Sequence, residues 1–320
     1  MFDYTEGSSR VHGDLAFSSL TRPDRGRAVP RTAIGTLGGV PETVVRDRPG
    51  QPEQAARFAA LHRRGTPLLL PNPWDVGSAR LLATLGFDAL ATTSNGFAAT
   101  MGRHDGSVTR DEALAHAAAI VAATDLPVSA DLENGFADDP ADVARTVELA
   151  IEAGLAGCSI EDFTGRPDDP IYDAGLAAER VAAAAEAAHG GPGRLVLTAR
   201  AENHLHARPD LDDTVARLRA FEAAGADVLY APGLTTAGDI ARVVDEVGLP
   251  VNVLALPTTP TVAELAEIGV RRISVGGAFA FVALGALVGA ATELIERGTY
   301  GYWDLAVEGS AAVRRAFDDT

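Results

Sequence analysis

Eight times after Pro67 a short apolar run is followed by an Ala-rich stretch with helical spacing, and this alternation restricts the chain to a parallel α/β architecture. The strand candidates are Pro67–Pro71, Ala89–Thr93, Pro127–Leu132, Gly157–Glu161, Leu195–Arg200, Val228–Ala231, Val251–Leu254 and Arg272–Val275. Helical patterns lie near 77–85, 109–123, 140–153, 177–188, 211–224, 236–247, 261–268 and 279–297. The strand candidates are apolar on both faces, as parallel strands covered by helices are. Gly154, Gly225 and Gly269 each stand shortly before a strand, where a glycine ends the preceding helix. Eight such units predict a closed (β/α)8 barrel of the TIM type, with a doubly wound open sheet as the competing arrangement. Gln54–Arg64 reads as a helix leading into the first strand. Residues 1–52 are rich in Gly, Pro, Ser and Arg without a sustained period, and read as a disordered or loosely docked arm. Residues 53–300 read as the catalytic barrel and 301–320 as a C-terminal tail.

Composition removes whole classes of chemistry. All 27 basic residues are arginine, so Schiff-base catalysis, pyridoxal-phosphate attachment and a lysine-bearing phosphate loop are excluded. Cys158 is the only cysteine, which excludes an intrachain disulfide and a multi-cysteine zinc site. A net charge of −17 argues against nucleic acid and anionic membranes as partners. The longest apolar run, Ala278–Ala291, is broken by glycines and followed by Glu293 and Glu296, and reads as too short to span a bilayer. With no secretory apolar region, the expected location is the cytoplasm.

A barrel places its chemistry at the C-terminal ends of the strands. There the sequence offers Asn72-Pro-Trp74-Asp75, Thr93-Ser94-Asn95-Gly96 with His104-Asp105 beyond, Asp131-Leu-Glu133, Glu161-Asp162, Arg200-Ala-Glu202, Tyr230, Asn252 and Gly276-Gly277. Asp131 and Glu133 share one side of their strand because side chains alternate. Two carboxylates so placed repel unless a cation lies between them. A hard divalent cation such as Mg²⁺ satisfies them; a solvated acidic loop is the bland alternative. Asp75 reads as a helix N-cap, Asp162 as a solvated loop acid, Glu202 as a partner of Arg200, and Cys158 as a small core residue. His104, His204 and His206 read as loop histidines, with a general-acid role for one of them as the sharper alternative.

In order along the chain, Trp74-Asp75-x-x-Ser78-Ala79, Thr93-Ser94-Asn95-Gly96, Gly102-x-x-Asp105-Gly106, Asp131-x-Glu133-x-Gly135-Phe136, Ile160-Glu161-Asp162 and Thr198-Ala199-Arg200 resemble the isocitrate lyase / phosphoenolpyruvate mutase superfamily over about residues 55–300. The resemblance implies a (β/α)8 barrel whose eighth helix, here Ala278–Arg297, is swapped between subunits of a homo-oligomer, a dimer or dimer of dimers such as a homotetramer. It implies Mg²⁺, with Mn²⁺ as a substitute, held by Asp131 with Asp105, Glu133 and Glu161 completing the shell. It makes Arg200, Glu161 and Asp105 the candidate catalytic residues. Thr93, Ser94, Asn95, Gly96, Asn252 and Arg200 become candidate substrate-binding residues, and Trp74 an apolar wall. The implied partner is a small-molecule carboxylate, with no nucleic acid and no membrane.

The segment after the fourth strand, Phe163–Asp173, has neither the Cys-Gly-His motif of isocitrate and methylisocitrate lyases nor the Lys-x-Asn motif of phosphonate-forming mutases. It resembles the branch with oxaloacetate decarboxylases, dimethylmalate-type lyases and carboxyphosphonoenolpyruvate mutases. The leading expectation is a Mg²⁺-dependent lyase or decarboxylase that cleaves a C–C bond in a small 2-oxo or 2-hydroxy di- or tricarboxylate through a pyruvate-like enolate. A phosphonomutase or P–C bond hydrolase, and a non-catalytic carboxylate-binding barrel, are the competitors.

Overall fold

The computed structural model describes residues 49–191 and 194–317. The expected arm at 1–52 therefore lies outside the described residues except for its last four positions, where helix α1 (Gln51–Leu61) already begins.

Eight strands form one parallel sheet: β1 (Leu68–Leu70), β2 (Leu90–Ala91), β3 (Val128–Asp131), β4 (Gly157–Glu161), β5 (Val196–Arg200), β6 (Val228–Tyr230), β7 (Val251–Leu254) and β8 (Arg272–Ser274). Their order is β1-β8-β7-β6-β5-β4-β3-β2. The remaining seam lies between β1 and β2. The Ala91 amide donates to the Pro71 carbonyl at 3.0 Å, and Asn72 Nδ2 donates to the Thr92 carbonyl at 2.9 Å. The protein is thus a (β/α)8 barrel, as the alternation predicts.

The helices that follow the strands are α2 (Val76–Thr84), α3 (Ser94–Thr100), α4 (Arg110–Val121), α5 (Pro140–Glu152), α6 (Ala174–His189), α7 (Leu211–Ala223), α8 (Ala237–Glu246), α9 (Val262–Ile268), α10 (Ala278–Arg297) and α11 (Trp303–Phe317). Two of these were not legible as helices. α3 starts on Ser-Asn-Gly, residues that favour turns. Its N-cap is Thr93, whose hydroxyl accepts the Gly96 amide. α11 occupies residues assigned to a tail, and packs on α2 with Arg80 over the Phe317 ring.

α1 crosses the N-terminal ends of the strands. Phe58 and Leu61 are buried in one cluster with Leu68, Ala89, Ala156, Val196 and Val228, which lie at or just before the starts of their strands. Gly157 is required there: a Cβ on it would come within 2.6 Å of the Phe58 ring. The opposite end of the barrel is left to the loops.

Arg180 on α6 is 1% exposed and fixes two of those loops from beneath. It donates to the carbonyls of Glu161, Asn134 and Ala137, and its guanidinium lies 4.0 Å from the centroid of the Tyr172 ring. Arg180→Met leaves three carbonyls without their donor and is expected to cost roughly 3 kcal/mol or more. Urea unfolding checks this; a loss below about 1 kcal/mol would show that water replaces the guanidinium.

α10 departs from the rest. Of its 20 residues only Ala280 is buried, and Ile295 is 83% exposed. By length and composition it is also apolar enough to cross a membrane, contrary to the expectation drawn from its broken run. Gly285 and Gly289 interrupt the run of large side chains but not the helix, which ends only at Gly298, in the left-handed region at φ 63. Its first turn packs on α3, where Ala280 lies against Gly96.

Candidate active site

At the open end of the barrel, β3, β4 and β5 bring three carboxylates onto one guanidinium. Arg200 donates to Asp131 Oδ1 at 3.0 Å through Nη1, lies 3.1 Å from Glu161 Oε2 through Nη2, and donates to Glu202 Oε1 at 2.8 Å through Nε. The strand register explains the convergence. Glu161 pairs with Arg200 across β4 and β5, Asp131 sits one strand further, and Glu202 follows Arg200 by two. Asp131 Oδ2 accepts the Ser94 hydroxyl at 3.0 Å and the Ser94 amide at 3.3 Å. Asp105 faces the same place from the loop after α3.

A cavity of about 200 Å³ opens beside this cluster, lined by Thr93, Ser94, Asn95, Asp105, Asp131, Arg200 and Asn252 among others. That is smaller than the ~300–1,000 Å³ typical of drug-sized ligands and suits a small acid. Glu133 and Glu161 border an adjoining cleft of about 670 Å³ under the segment after β4. Trp74 and Gly96 lie one layer behind the pocket. A Cβ on Gly96 would sit 3.2 Å from Trp74, and the Trp74 carbonyl is hydrogen-bonded to His116 Nε2 at 3.0 Å. Of the backbone amides of Ser94, Asn95 and Gly96 at the start of α3, two are already engaged, Ser94 by Asp131 and Gly96 by the Thr93 hydroxyl; among the described residues the Asn95 amide has no acceptor.

A family model for phosphoenolpyruvate phosphomutase matches residues 58–295. The chain belongs to this family. Its relatives share the barrel and differ in chemistry. The oxaloacetate decarboxylase of Paraburkholderia xenovorans is 30% identical over 78% of this chain and 85% of its own length. The 2-methylisocitrate lyase of Escherichia coli is 30% identical over 63% and 71%. Among solved structures, a lyase/mutase of Burkholderia cenocepacia superposes with a TM-score of 0.80 and 54% identity, over 82% of this chain and 95% of that one. The isocitrate lyase / phosphoenolpyruvate mutase superfamily comprises lyases and mutases of small carboxylates, and this member is built on the same enzyme scaffold.

Burial pushes the Glu133, Glu161, Glu202 and Asp105 carboxyls upward. Burial pushes Glu133 up to about 8, helped by the charges of Asp131 and Asp105. Glu133 adopts a left-handed backbone at φ 48, and its Oε1 is buried without a hydrogen-bond partner. Burial raises Glu161 well above the carboxylate range, with Arg200 opposing, and raises Glu202 to about 7. Asp105 is raised by burial of its carboxyl and by Asp131. Burial works against the charge of Arg200, but Glu202, Glu161 and Asp131 outweigh it.

An oxygen-only donor set with an orphaned Glu133 oxygen fits a hard divalent cation, which keeps several waters and needs few direct protein ligands. Among the described residues no three His, Cys, Asp or Glu side chains converge as a ready-made metal site, and Asp131 and Glu161 are both paired with Arg200. In metal-free protein the raised acids bind more protons folded than unfolded. Their contribution is full below the unfolded value near 4.5 and is lost as pH rises toward 8. Melting temperature in EDTA is therefore expected to fall between pH 5.5 and 8.5, by the equivalent of roughly 1–2 kcal/mol after discounting solvent access, and Glu133→Gln flattens that slope. A melting temperature that climbs over this window would contradict it.

Other expectations divide cleanly. Asp75 is an N-cap, its carboxylate accepting the Ser78 amide at 2.6 Å. Cys158 is fully buried, and burial raises its thiol far from reactivity. Glu202 does partner Arg200. Asp162, read as a solvated acid, is instead 1% exposed; its carboxylate accepts Arg217 Nη1 at 3.1 Å and the Glu202 amide at 2.8 Å. His206 stacks on Phe163 with centroids 3.8 Å apart, and His204 Nε2 is buried without a partner. In the sequence Asn72, at the end of the first strand, carries no assigned role, and Arg272 reads only as a strand residue. Asn72 Oδ1 accepts the Val275 and Gly276 amides, tying β8 to β1 beside the pocket. Both left one signal, a polar residue in or at the end of an otherwise apolar strand.

Proposed function

We propose that this protein is a Mg²⁺-dependent lyase or decarboxylase that cleaves a C–C bond in a small 2-oxo or 2-hydroxy di- or tricarboxylate, the bonding electrons passing into the enolate of pyruvate from a 2-oxo acid and into the enolate of the departing carboxylate, with pyruvate as the ketone product, from a 2-hydroxy acid. The observation that carries this reading is the convergence of Asp131, Glu161 and Glu202 on Arg200 beside a cavity of about 200 Å³. Asp131, with Asp105, Glu133 and Glu161, would hold the ion. Bound there, Mg²⁺ supplies Lewis acidity toward the 2-oxo or 2-hydroxy acid.

The chain's own groups do the rest. The Asn95 amide at the start of α3 offers a donor to the substrate carboxylate, with Thr93 and Asn252 on the cavity wall. Arg200 holds Asp131, Glu161 and Glu202 in one geometry beside the cavity. The loop Phe163–Asp173 closes the adjoining cleft. It is pinned at its base by the Phe163–Ile171 bridge and the Thr164 amide to the Pro170 carbonyl at 2.8 Å. With no cysteine or histidine in that loop, cleavage of isocitrate by a thiolate acid is disfavoured.

The exposed apolar face of α10 supports burial against a second copy in a homo-oligomer, in keeping with a soluble cytoplasmic enzyme. The deciding assay is Mg²⁺-dependent pyruvate release across oxaloacetate, 2-methylmalate-type acids and methylisocitrate. Release from one of them supports the lyase. Silence across the panel removes it, and phosphonopyruvate followed by ³¹P NMR then tests the mutase reading.

A further inference from the structure

We infer that Arg272 binds the second acidic group of the substrate at the floor of the pocket, which makes this a site for dianions rather than monocarboxylates. The inference rests on the lyase reading above and names the substrate class of that same cavity.

Arg272 opens β8 and lies inside the barrel, 4% exposed, among the residues that line the cavity. Its Nε donates to Asn252 Oδ1 at 2.9 Å and its Nη1 to Thr198 Oγ1 at 2.9 Å. Both acceptors are neutral. Among the described residues no carboxylate lies within 4.0 Å of its guanidinium, whereas Arg200 touches three and Arg217 touches Asp162 and Asp213. Arg180 also lacks a carboxylate at that range, but it is spent on three carbonyls and an aromatic ring, and does not line the cavity.

A buried cation without a counter-ion is costly, and such charges are ordinarily paired. Burial lowers Arg272 only to about 10, so it is charged at neutral pH. The other side chains at this level, Ser129, Ser159, Asn252 and Ser274, carry no charge. The cavity is therefore polarised along its axis, with an acidic rim at Asp105 and Asp131 and a lone cation beneath. Arg200, the guanidinium that the sequence offers for the second anion, is already saturated by protein carboxylates. A ligand anion on the floor supplies the charge that Arg272 lacks, while its other end meets the rim.

Binding, not turnover, tests this. Calorimetric titration with Mg²⁺ compares malate with lactate, which share a 2-hydroxy acid and differ by one carboxylate; 3-phosphonolactate replaces that carboxylate with a phosphonate and shows which acidic group the floor prefers. Arg272→Gln is expected to weaken malate by about 10- to 100-fold and lactate by less than about threefold, the loss of one charge-assisted contact. Asn252→Asp places a carboxylate where Arg272 Nε already donates. It is expected to raise the melting temperature of the ligand-free protein and to weaken malate more than lactate, and it serves if Arg272→Gln does not fold. If Arg272 is only a strut, both acids weaken alike or not at all, and the inference falls while the lyase reading stands. If wild-type protein binds neither acid but releases pyruvate from the panel above, the inference falls alone; if it neither binds these acids nor releases pyruvate, the lyase reading falls with it.

Discussion

Asp131→Ala is expected to lower Mg²⁺-dependent turnover by about three to four orders of magnitude, equivalent to roughly 4–5 kcal/mol of transition-state stabilisation, while leaving the fold almost as stable as before. The two halves have separate physical causes. Asp131 is the acid that meets both Ser94 and Arg200, so its loss removes the proposed metal ligand and unfixes the strand-two turn together. Its loss also relieves repulsion on Glu133 and Asp105, and Arg200 keeps Glu161 and Glu202 as partners. The net stability change should stay within about 1–2 kcal/mol. Steady-state pyruvate release and urea unfolding on the same preparation measure both. Retention of a tenth of the activity would exclude Asp131 from the metal site.

Arg200→Met has the opposite profile in stability. It strands Glu161 and Glu202, both buried, without the cation that opposes the upward push of burial on their carboxyls, and removing one partner of a buried ionic cluster costs about 3–5 kcal/mol. The loss depends on pH. Without Arg200 the two carboxyl pKa values rise further, so the folded variant retains protons that the unfolded chain releases. Stability then falls as pH rises, and the deficit against wild type is smaller at pH 5.5 than at pH 8. Arg200→Lys recovers only part of it, because an ammonium cannot fork onto three carboxylates as a guanidinium does. Unfolding at the two pH values decides; equal deficits would show that the cluster is not held by charge.

Much of this site could be read from the chain because a parallel barrel converts sequence position into place. Whatever follows a strand lies at one end, and so Asp105, Asp131, Glu133, Glu161 and Arg200 could be grouped without coordinates. Pairings between distant elements could not. Asp162 reads as a loop acid until Arg217, 55 residues later on α7, is seen to reach it. Arg272 reads as one more strand residue until its neighbours prove neutral. The N-terminus of α3 was hidden because Ser-Asn-Gly signals a turn, which is also how a short helix begins when Thr93 caps it.

The sealing of one barrel end by Phe58 and Leu61 has a stereochemical consequence. An enolate formed in a blind cavity can exchange protons with solvent by one route only, the mouth. Solvent protons arrive by that one route, so in deuterated water a 3-substituted 2-oxo acid, whose enolate carbon carries one hydrogen and one substituent, should yield product with a single configuration at the labelled C3. A barrel open at both ends would give a racemic label from the same residues.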